Sequence, residues 1–341
     1  MKILHIHPDV TPKSELALLA EIRRRAAGSF GGLRLGIGDD CALVAPRKGE
    51  ELAITTDLSI AGQHFRLDWH QPESVGHRAL ARGLSDLAAM GARPVAAFLS
   101  LGLPRNLTVA GRAGARAWVA RFLDGLLALA ATHRVPLAGG DLAESPIAMA
   151  DIVLVGAVPR HRALLRSDAR PGDLLYVTGS LGGAAAGLAR LEELAASKAK
   201  PPRIPQRLAA QLAPHLYPQP RITQGLRLRN LASAALDLSD GLSTDLAHLC
   251  QESGVAAEVN GALLPLHAGA TLTQALHGGE DYELLFTAPA TARIPRQISG
   301  VPVTKIGRVL RARPGHPAIT LLTPNGSKPL VAQGWEHFRK D

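Results

Sequence analysis

The sequence predicts a two-domain fold of mixed α/β (α+β) class. Apolar strand-like runs alternate with amphipathic helical stretches in both halves, the pattern of layered helix-and-sheet domains. At 341 residues the chain exceeds the size at which one core usually keeps growing. A hydrophobic content of 46% supplies enough apolar surface for two cores. Pro159 and the basic run to Arg170 mark the break, so the expected domains are 1–160 and 161–341.

In the first half, Ser14 is placed to cap a helix in which Leu16, Leu19, Ala20 and Ile22 recur at helical spacing. Arg23-Arg24-Arg25 then meet the negative helix end, a reading preferred to a phosphate site. Ala53–Thr56 reads as a strand running into Asp57. Glu73–Met90 reads as a helix with Val75, Ala79, Leu80, Leu84, Leu87 and Ala88 on one side, Asp86 in its last turn and Gly91 at its end. A strand over Val95–Leu103 is followed by a long amphipathic helix over Ala113–Thr132. A short strand, Val135–Ala138, delivers Gly139-Gly140-Asp141, and the apolar strand Ala148–Val158 closes this half.

The second half opens with a strand over Asp173–Val177, a turn at Gly179 and an alanine-rich helix from about Ala184 to Ala196. Lys198–Pro205 is a polar, proline-containing loop. Ala234–Leu238 reads as a strand entering Ser239-Asp240-Gly241, followed by a helix over Thr244–Gln251. Tyr282–Thr287 and Val303–Leu310 are further strands. No short tandem repeat is present.

Composition narrows the function. The net charge is +9, but the basic residues are scattered and only 4% of residues are aromatic, too few for a base-stacking platform, so no nucleic-acid partner is expected. A diffuse positive field instead favours approach of a small anionic substrate. Cys41 and Cys250 lie in no metal-ligand spacing and read as reduced thiols. Met1–Asp9 lacks a signal-peptide core, and no run approaches the roughly 18 apolar residues of a membrane span. A cytoplasmic protein with no membrane partner is the expectation.

The chemistry is concentrated in six segments that set acidic residues among small ones: Gly38-Asp39-Asp40, Thr55-Thr56-Asp57, Ser85-Asp86, Gly139-Gly140-Asp141, Asp237-Leu238-Ser239-Asp240-Gly241 and Gly279-Glu280-Asp281. Singly, the first is as readily a plain turn as a ligand site, and Thr55-Thr56-Asp57 reads more readily as a helix cap or turn. Asp86 is more telling, because a buried unpaired carboxylate in an apolar helix is costly and demands a cation or a capping bond. If most segments meet, like charges a few ångströms apart repel by about 3–4 kcal/mol per pair at an effective dielectric of 20, so cations are required. Oxygen donors without thiolates select a hard ion. Magnesium fits, since it takes one or two carboxylates and completes its shell with water and phosphate oxygens.

Rival phosphate devices are missing. There is no G-x-x-x-x-G-K-[ST] loop, and Gly179-Ser180-Leu181-Gly182-Gly183 has the wrong glycine spacing for a dinucleotide fingerprint and reads as a tight strand-to-helix turn. The thirteen histidines show no zinc spacing. His64 stands out beside the Thr-Thr-Asp turn, and Trp335 reads as a packing anchor or a stacking platform.

Taken in order, the segments resemble the thiamine-monophosphate kinases, a family in the superfamily that also holds aminoimidazole ribonucleotide synthetase and selenophosphate synthetase. The matching elements are Gly36–Ala42, Thr55-Thr56-Asp57 with Ala61–Phe65, Leu84–Ala92, Gly139-Gly140-Asp141, Arg166-Ser167 before Pro171-Gly172-Asp173, Asp237–Leu242 and Gly278–Leu284. The resemblance runs from Ser14 to Phe338.

The resemblance implies ATP-dependent phosphorylation of thiamine monophosphate to thiamine diphosphate by direct in-line transfer, with ATP as co-substrate and several Mg2+ ions as cofactors. It implies a homodimer whose N-terminal sheets form a shared barrel. Residues 1–160 would then bind ATP and Mg2+ and dimerise, and 161–341 would complete the active site. By motif, Asp40, Thr55, Thr56, Asp57, Asp86, Asp141, Asp237 and Asp240 would bind metal. Gly140, Asp141, Arg166 and Ser239 would contact ATP, and His64, Glu280 and Trp335 the thiamine phosphate. No residue is expected as a covalent nucleophile, because phosphoryl transfer depends on positioning and charge neutralisation. The sequence departs from the family at Leu142, where relatives carry threonine, and at Leu58-Ser59-Ile60 after Asp57. Two rival readings are a related ATP-dependent synthetase, whose reactive cysteine and lysine loop are not found, and a non-catalytic nucleotide or metal sensor.

Overall fold

The computed structural model describes residues 15–26, 31–109, 116–196 and 202–335. Ser14, Met1–Asp9, Ala113, residues 198–201 of the polar loop and residues 336–341 lie outside these ranges. The N-terminal half runs α1 (Glu15–Ala26), β1 (Leu33–Leu35), β2 (Leu43–Val44), β3 (Glu50–Ile60), α2 (Pro72–Ala89), β4 (Arg93–Leu103), α3 (Trp118–His133), β5 (Leu137–Glu144) and β6 (Met149–Pro159). The C-terminal half runs β7 (Leu174–Thr178), α4 (Gly183–Ala195), α5 (Ala209–Leu216), α6 (Ile222–Leu228), β8 (Ala234–Asp237), α7 (Leu242–Ser253), β9 (Val255–Asn260), α8 (Leu272–His277), β10 (Leu284–Ala288), β11 (Gln297–Ile298), β12 (Val301–Arg311), β13 (Ile319–Thr323) and β14 (Gly326–Pro329).

This is a mixed α/β arrangement of two large sheets and a two-stranded β1–β2 ribbon, with helices packed against the large sheets. The N-terminal sheet has the order β3-β6-β4-β5, antiparallel except for the β4–β5 pair. The C-terminal sheet has the order β14-β13-β9-β12-β7-β10-β8, with β11 paired to β12 and only β13–β9 parallel. Helix α2 packs on β3, β6 and β4 of the N-terminal sheet with α3 alongside it, and also meets β8 of the C-terminal sheet. Strand alternation explains the layering. Tyr176, Ala235, Leu284 and Phe286 enter the core shared with α2, whereas Leu175, Val177, Leu236 and Leu285 pack under α7 in a second core.

Two glycines let α2 and α3 cross closely. A Cβ at Gly76 would fall 1.9 Å from the Phe122 carbonyl oxygen, and one at Gly125 would fall 1.8 Å from that of Glu73. Any larger residue at either position would force the helices apart, and with them the side chains that α2 presents.

Several boundaries differ from the sequence reading. Thr55-Thr56-Asp57 lies in the middle of β3, because its pairing with β6 continues through Ile60↔Met149. Gly139-Gly140-Asp141 lies inside β5, paired with Phe98–Ser100 of β4. Helix α3 starts at Trp118, since Ala117 has extended backbone. Strand β10 starts at Leu284 rather than Tyr282, which adopts a left-handed backbone with φ 50°. Strands β1, β2, β9, β11, β13 and β14 and helices α5, α6 and α8 have no counterpart in the sequence reading.

Candidate active site

A cavity of about 530 Å³ opens where β3, α2, the β8–α7 turn and the segment before β10 meet. Four of the sequence-predicted carboxylates line it: Asp57, Asp86, Asp237 and Asp240. Ser239, Glu280, His64 and Trp335 lie on the same wall.

Strand alternation on β3 turns Thr55 and Asp57 toward α2, and Thr56 to the outer face with Ile54 and Leu58. The Thr55 hydroxyl donates to Asp86 Oδ2, and the Ser85 hydroxyl donates to Asp237 Oδ2 at 2.7 Å. Asp86 therefore has a hydroxyl donor, but only a neutral one. Burial, then Asp86 beside it, push the Asp57 carboxyl up to about 7, and Arg82 offsets part of this. Burial, then Asp86, raise Asp237 to about 7 as well. Asp86 is raised by burial, while the Thr55 hydroxyl and then Arg166 hold it down. Arg166 thus lies within electrostatic reach of both Asp86 and Asp237.

Buried carboxylates that oppose one another need positive charge. Oδ2 of Asp57 is buried with no hydrogen-bond partner. An all-oxygen set with an orphaned buried oxygen fits a hard divalent cation. Among the described residues no three His, Cys, Asp or Glu side chains already form a cage. Magnesium tolerates this, because water and phosphate oxygens complete its shell.

The Asp237-Leu238-Ser239-Asp240-Gly241 turn is held from below by Asp245, whose Oδ2 accepts from the backbone N–H of Asp240 at 3.1 Å and of Gly241 at 3.0 Å. Burial, then Asp237 and Asp240, raise Asp245 to about 8. From the other side, the Ser239 carbonyl accepts from Glu280 N–H at 2.7 Å and the Asp240 carbonyl from Trp335 N–H at 3.1 Å. The chain before Trp335 is tied down by Gly334 N–H to Thr244 Oγ1 at 3.0 Å. A Cβ at Gly334 would lie 1.9 Å from the Asp240 oxygen, so only glycine lets this strap seat Trp335 on the cavity rim.

The three acids of Gly278–Leu284 do three different jobs. Arg78 Nη2 bridges both oxygens of Glu280 at 2.7 and 2.6 Å. Burial raises Glu280, but Arg78 outweighs it, so the carboxyl sits below its ordinary range. Glu280 is thus already paired and is no lone counter-charge for a cationic ring. Asp281 accepts from the backbone N–H of Gly182 at 2.6 Å and of Ala184 at 3.0 Å, capping α4 at the glycine turn. Glu283 takes the Arg221 fork at 2.6 and 2.5 Å. Glu280 and Tyr282 both adopt left-handed backbone, with φ 66° and 50°, the local strain that accumulates at binding sites. His64 accepts from Ile60 N–H at 3.1 Å through Nδ1.

The acidic set does not converge on one cavity. Asp40 and Gly140 border a second cavity of about 440 Å³, together with Asp39, Gly139 and Leu142. Asp141 follows Gly140 on β5 and is exposed. Of the eight residues expected to bind metal, Asp57, Asp86, Asp237 and Asp240 line the first cavity and Asp40 the second, while Thr56 lies on the outer face of β3. Sequence reasoning also missed Arg78, Arg82, Asp151 and the His70–His215 pair. The available signal was the spacing of 78, 82 and 86, one helical turn apart on the side of α2 that carries Asp86.

Residues 38–160 match the AIR synthase related protein, N-terminal domain, and residues 170–313 match its C-terminal domain. The chain is 40% identical over 337 residues to the thiamine-monophosphate kinase of Escherichia coli (strain K12), covering 95% of this chain and 98% of that protein. It superposes on the crystal structure of thiamine-monophosphate kinase from Stenotrophomonas maltophilia K279a with a TM-score of 0.76 and 36% identity, covering 90% of this chain and 96% of the other. It also superposes on AaThiL complexed with AMPPCP and TMP, with a TM-score of 0.73 and 32% identity over 95% of this chain and 97% of that one. With its acidic cavity and both matched domains, the chain belongs to the thiamine-monophosphate kinases of the AIR synthase related family.

Proposed function

We propose that this protein transfers the γ-phosphoryl group of ATP directly to the phosphate of thiamine monophosphate. An acceptor phosphate oxygen bonds to the γ-phosphorus as the bond to the β,γ-bridging oxygen breaks, giving thiamine diphosphate and ADP. The observation that carries this reading is the cavity where Asp57, Asp86, Asp237 and Asp240 face one another across α2 and the β8–α7 turn. The kinship supports it, since AaThiL has been captured with an ATP analogue and the monophosphate together.

Asp57, Asp86, Asp237 and Asp240, with Thr55 behind them, are the residues that would hold Mg2+, and Asp40 would serve from the second cavity and Asp141 from the exposed stretch of β5 beside it. The ions would supply neutralisation of the charge that the two phosphates bring together. The chain's own contribution is to bind and orient. Gly140, Arg166 and Ser239 take the nucleotide, with glycine permitting close approach of backbone to phosphate. His64, Trp335 and the Arg78–Glu280 pair border the acceptor, with the Trp335 face suited to the cationic thiazolium ring. The acceptor phosphate is already anionic, so no general base is needed.

The division of labour follows the halves. Residues 1–160 provide β3, α2 and the second cavity, and 161–341 provide the β8–α7 turn and the strap. A homodimer completes the picture. β3 is an edge strand whose outer face leaves Leu52, Ile54 and Leu58 exposed by 42%, 63% and 43%, an unusual apolar row for a free edge. Joining two such sheets would bury it in a barrel shared by two copies. No helix among the described residues is long and apolar enough to cross a membrane.

The test is purified protein with ATP, MgCl2 and thiamine monophosphate. Stoichiometric thiamine diphosphate and ADP are expected. Hydrolysis of ATP without thiamine diphosphate, or no turnover, would overturn the reading.

A further inference from the structure

Among the described residues three arginines line the main cavity, and two hold a carboxylate at close range. Arg66 pairs with Asp68 at 2.8 Å and lies 4.2 Å over the Trp69 ring. Arg78, with a side chain only 6% exposed, holds Glu280 at 2.6 Å. Arg82 differs. Its contacts are long, 3.6 Å from Nε to Asp57 Oδ1 and 3.4 Å from Nη1 to the Ser59 hydroxyl, and its side chain is 18% exposed on the cavity wall.

Helix α2 sets Arg78, Arg82 and Asp86 one turn apart on one stripe. Arg82 therefore stands between the Glu280 end of the cavity and the Asp57–Asp86 end. On the kinase reading above, the acceptor's ring would lie toward Glu280 and the transferring phosphate toward the aspartates, with Arg82 between them. A planar guanidinium matches phosphate oxygens with paired donors, and a charge-assisted bond of this kind is among the stronger polar contacts.

We propose that Arg82 binds the phosphate of the acceptor, holding it against the acidic cluster for in-line attack. The inference rests on the kinase reading above and adds a residue that none of the acidic motifs contains. The contact of Asp57 to Nε and the contact of Nη1 to Ser59 lie along the guanidinium, and both are long enough to yield to a phosphate oxygen. Arg82 acts before the chemical step, on acceptor affinity, and again as charge spreads over the transferred group.

The experiment compares wild type, Arg82→Gln and Arg82→Lys in steady-state kinetics, with thiamine, which lacks the phosphate, as a competitive probe. For Arg82→Gln the KM for thiamine monophosphate should rise about 10- to 100-fold, the loss expected for a hydrogen bond to a charged group. The inhibition constant of thiamine and the KM for ATP should stay within about twofold, and Arg82→Lys should recover part of the loss. If instead the Mg2+ requirement rises while the KM for thiamine monophosphate is unchanged, Arg82 is only the counter-ion of Asp57 and the proposal fails. Equal weakening of thiamine and its monophosphate would assign Arg82 to cavity shape and also defeat it. Should Arg82→Gln not fold, the same comparison on Arg82→Lys decides, with an unchanged KM ratio overturning the proposal. A wild-type protein that makes no thiamine diphosphate would refute the kinase reading instead, a separate and visible outcome.

Discussion

His70 and His215 meet Nε2 to Nε2 at 2.9 Å, each only 2% exposed, and so join a loop of the N-terminal half to α5 of the C-terminal half. His70 Nδ1 lies 3.1 Å from the Arg66 backbone N–H and 3.2 Å from the Arg66 carbonyl oxygen, and across the Nε2–Nε2 contact one neutral ring donates and the other accepts. His215 Nδ1 lies 3.6 Å from Glu280 Oε2, beyond hydrogen-bond distance. Burial, then Arg78, push His70 down to about 4 and His215 well below its usual value. Both rings are therefore neutral in the folded protein at neutral pH.

This pair makes stability pH-dependent. Between about pH 6.5 and about pH 4 the unfolded chain takes up protons that the folded pair refuses, so folding free energy falls as pH falls through that window. The double variant His70→Leu/His215→Leu should show a shallower loss than wild type between pH 7.5 and pH 5 in urea denaturation. Parallel losses in the two proteins would contradict the assignment.

The aspartates act in the opposite sense. Asp57 and Asp237 have folded values near 7, raised above the usual 3.8, so the folded state holds protons that the unfolded chain releases. Their contribution to stability is lost as pH rises from about 4 to about 7. Magnesium must displace those protons. Added MgCl2 should therefore raise the melting temperature more at pH 8 than at pH 5.5, and Asp57→Asn should shrink that difference. Asp57→Asn should also cut turnover by orders of magnitude while remaining folded. A magnesium shift independent of pH would argue against the cluster as a cation site.

Much of this site was legible in the sequence because its chemistry is local. Asp86 in an apolar helix and the Asp237–Asp245 run announce their burial by composition, and the glycine turn at Gly179 reads as the strand-to-helix turn it forms. The limits were long-range. α2 is covered on nearly every side, so the arginines at 78 and 82, which a two-sided amphipathic reading assigns to solvent, are drawn into the cavity by Glu280 and Asp57 of other elements. The separation of Asp40 from Asp57 depends on sheet order, β3 and β5 lying on opposite edges of one sheet, which no local pattern encodes.

The cap of α4 offers a stability test away from the chemistry. Asp281→Ala removes two backbone acceptor contacts, to Gly182 and Ala184, and should cost about 1–2 kcal/mol, the usual range for a lost N-terminal cap. Chemical denaturation measures it directly. A change below a few tenths of a kcal/mol would mean that water replaces the carboxylate without loss.

Gly334→Ala should act on binding. Its Cβ would collide with the Asp240 carbonyl at 1.9 Å, displacing the strap and Trp335 with it. The KM for thiamine monophosphate should rise about tenfold, in line with loss of an aromatic contact to a cationic ring, while melting temperature changes little. Unchanged kinetics would show that Trp335 takes no part in acceptor binding.

The claim on which the rest depends is that Asp57, Asp86, Asp237 and Asp240 share divalent ions with the triphosphate. Crystals grown with MnCl2, a non-hydrolysable ATP analogue and thiamine monophosphate, examined by anomalous diffraction, test it most directly. Manganese peaks within coordination distance of Asp57 and Asp240 and of the phosphate oxygens are predicted. Both ligands in place with no manganese among these carboxylates would contradict the account.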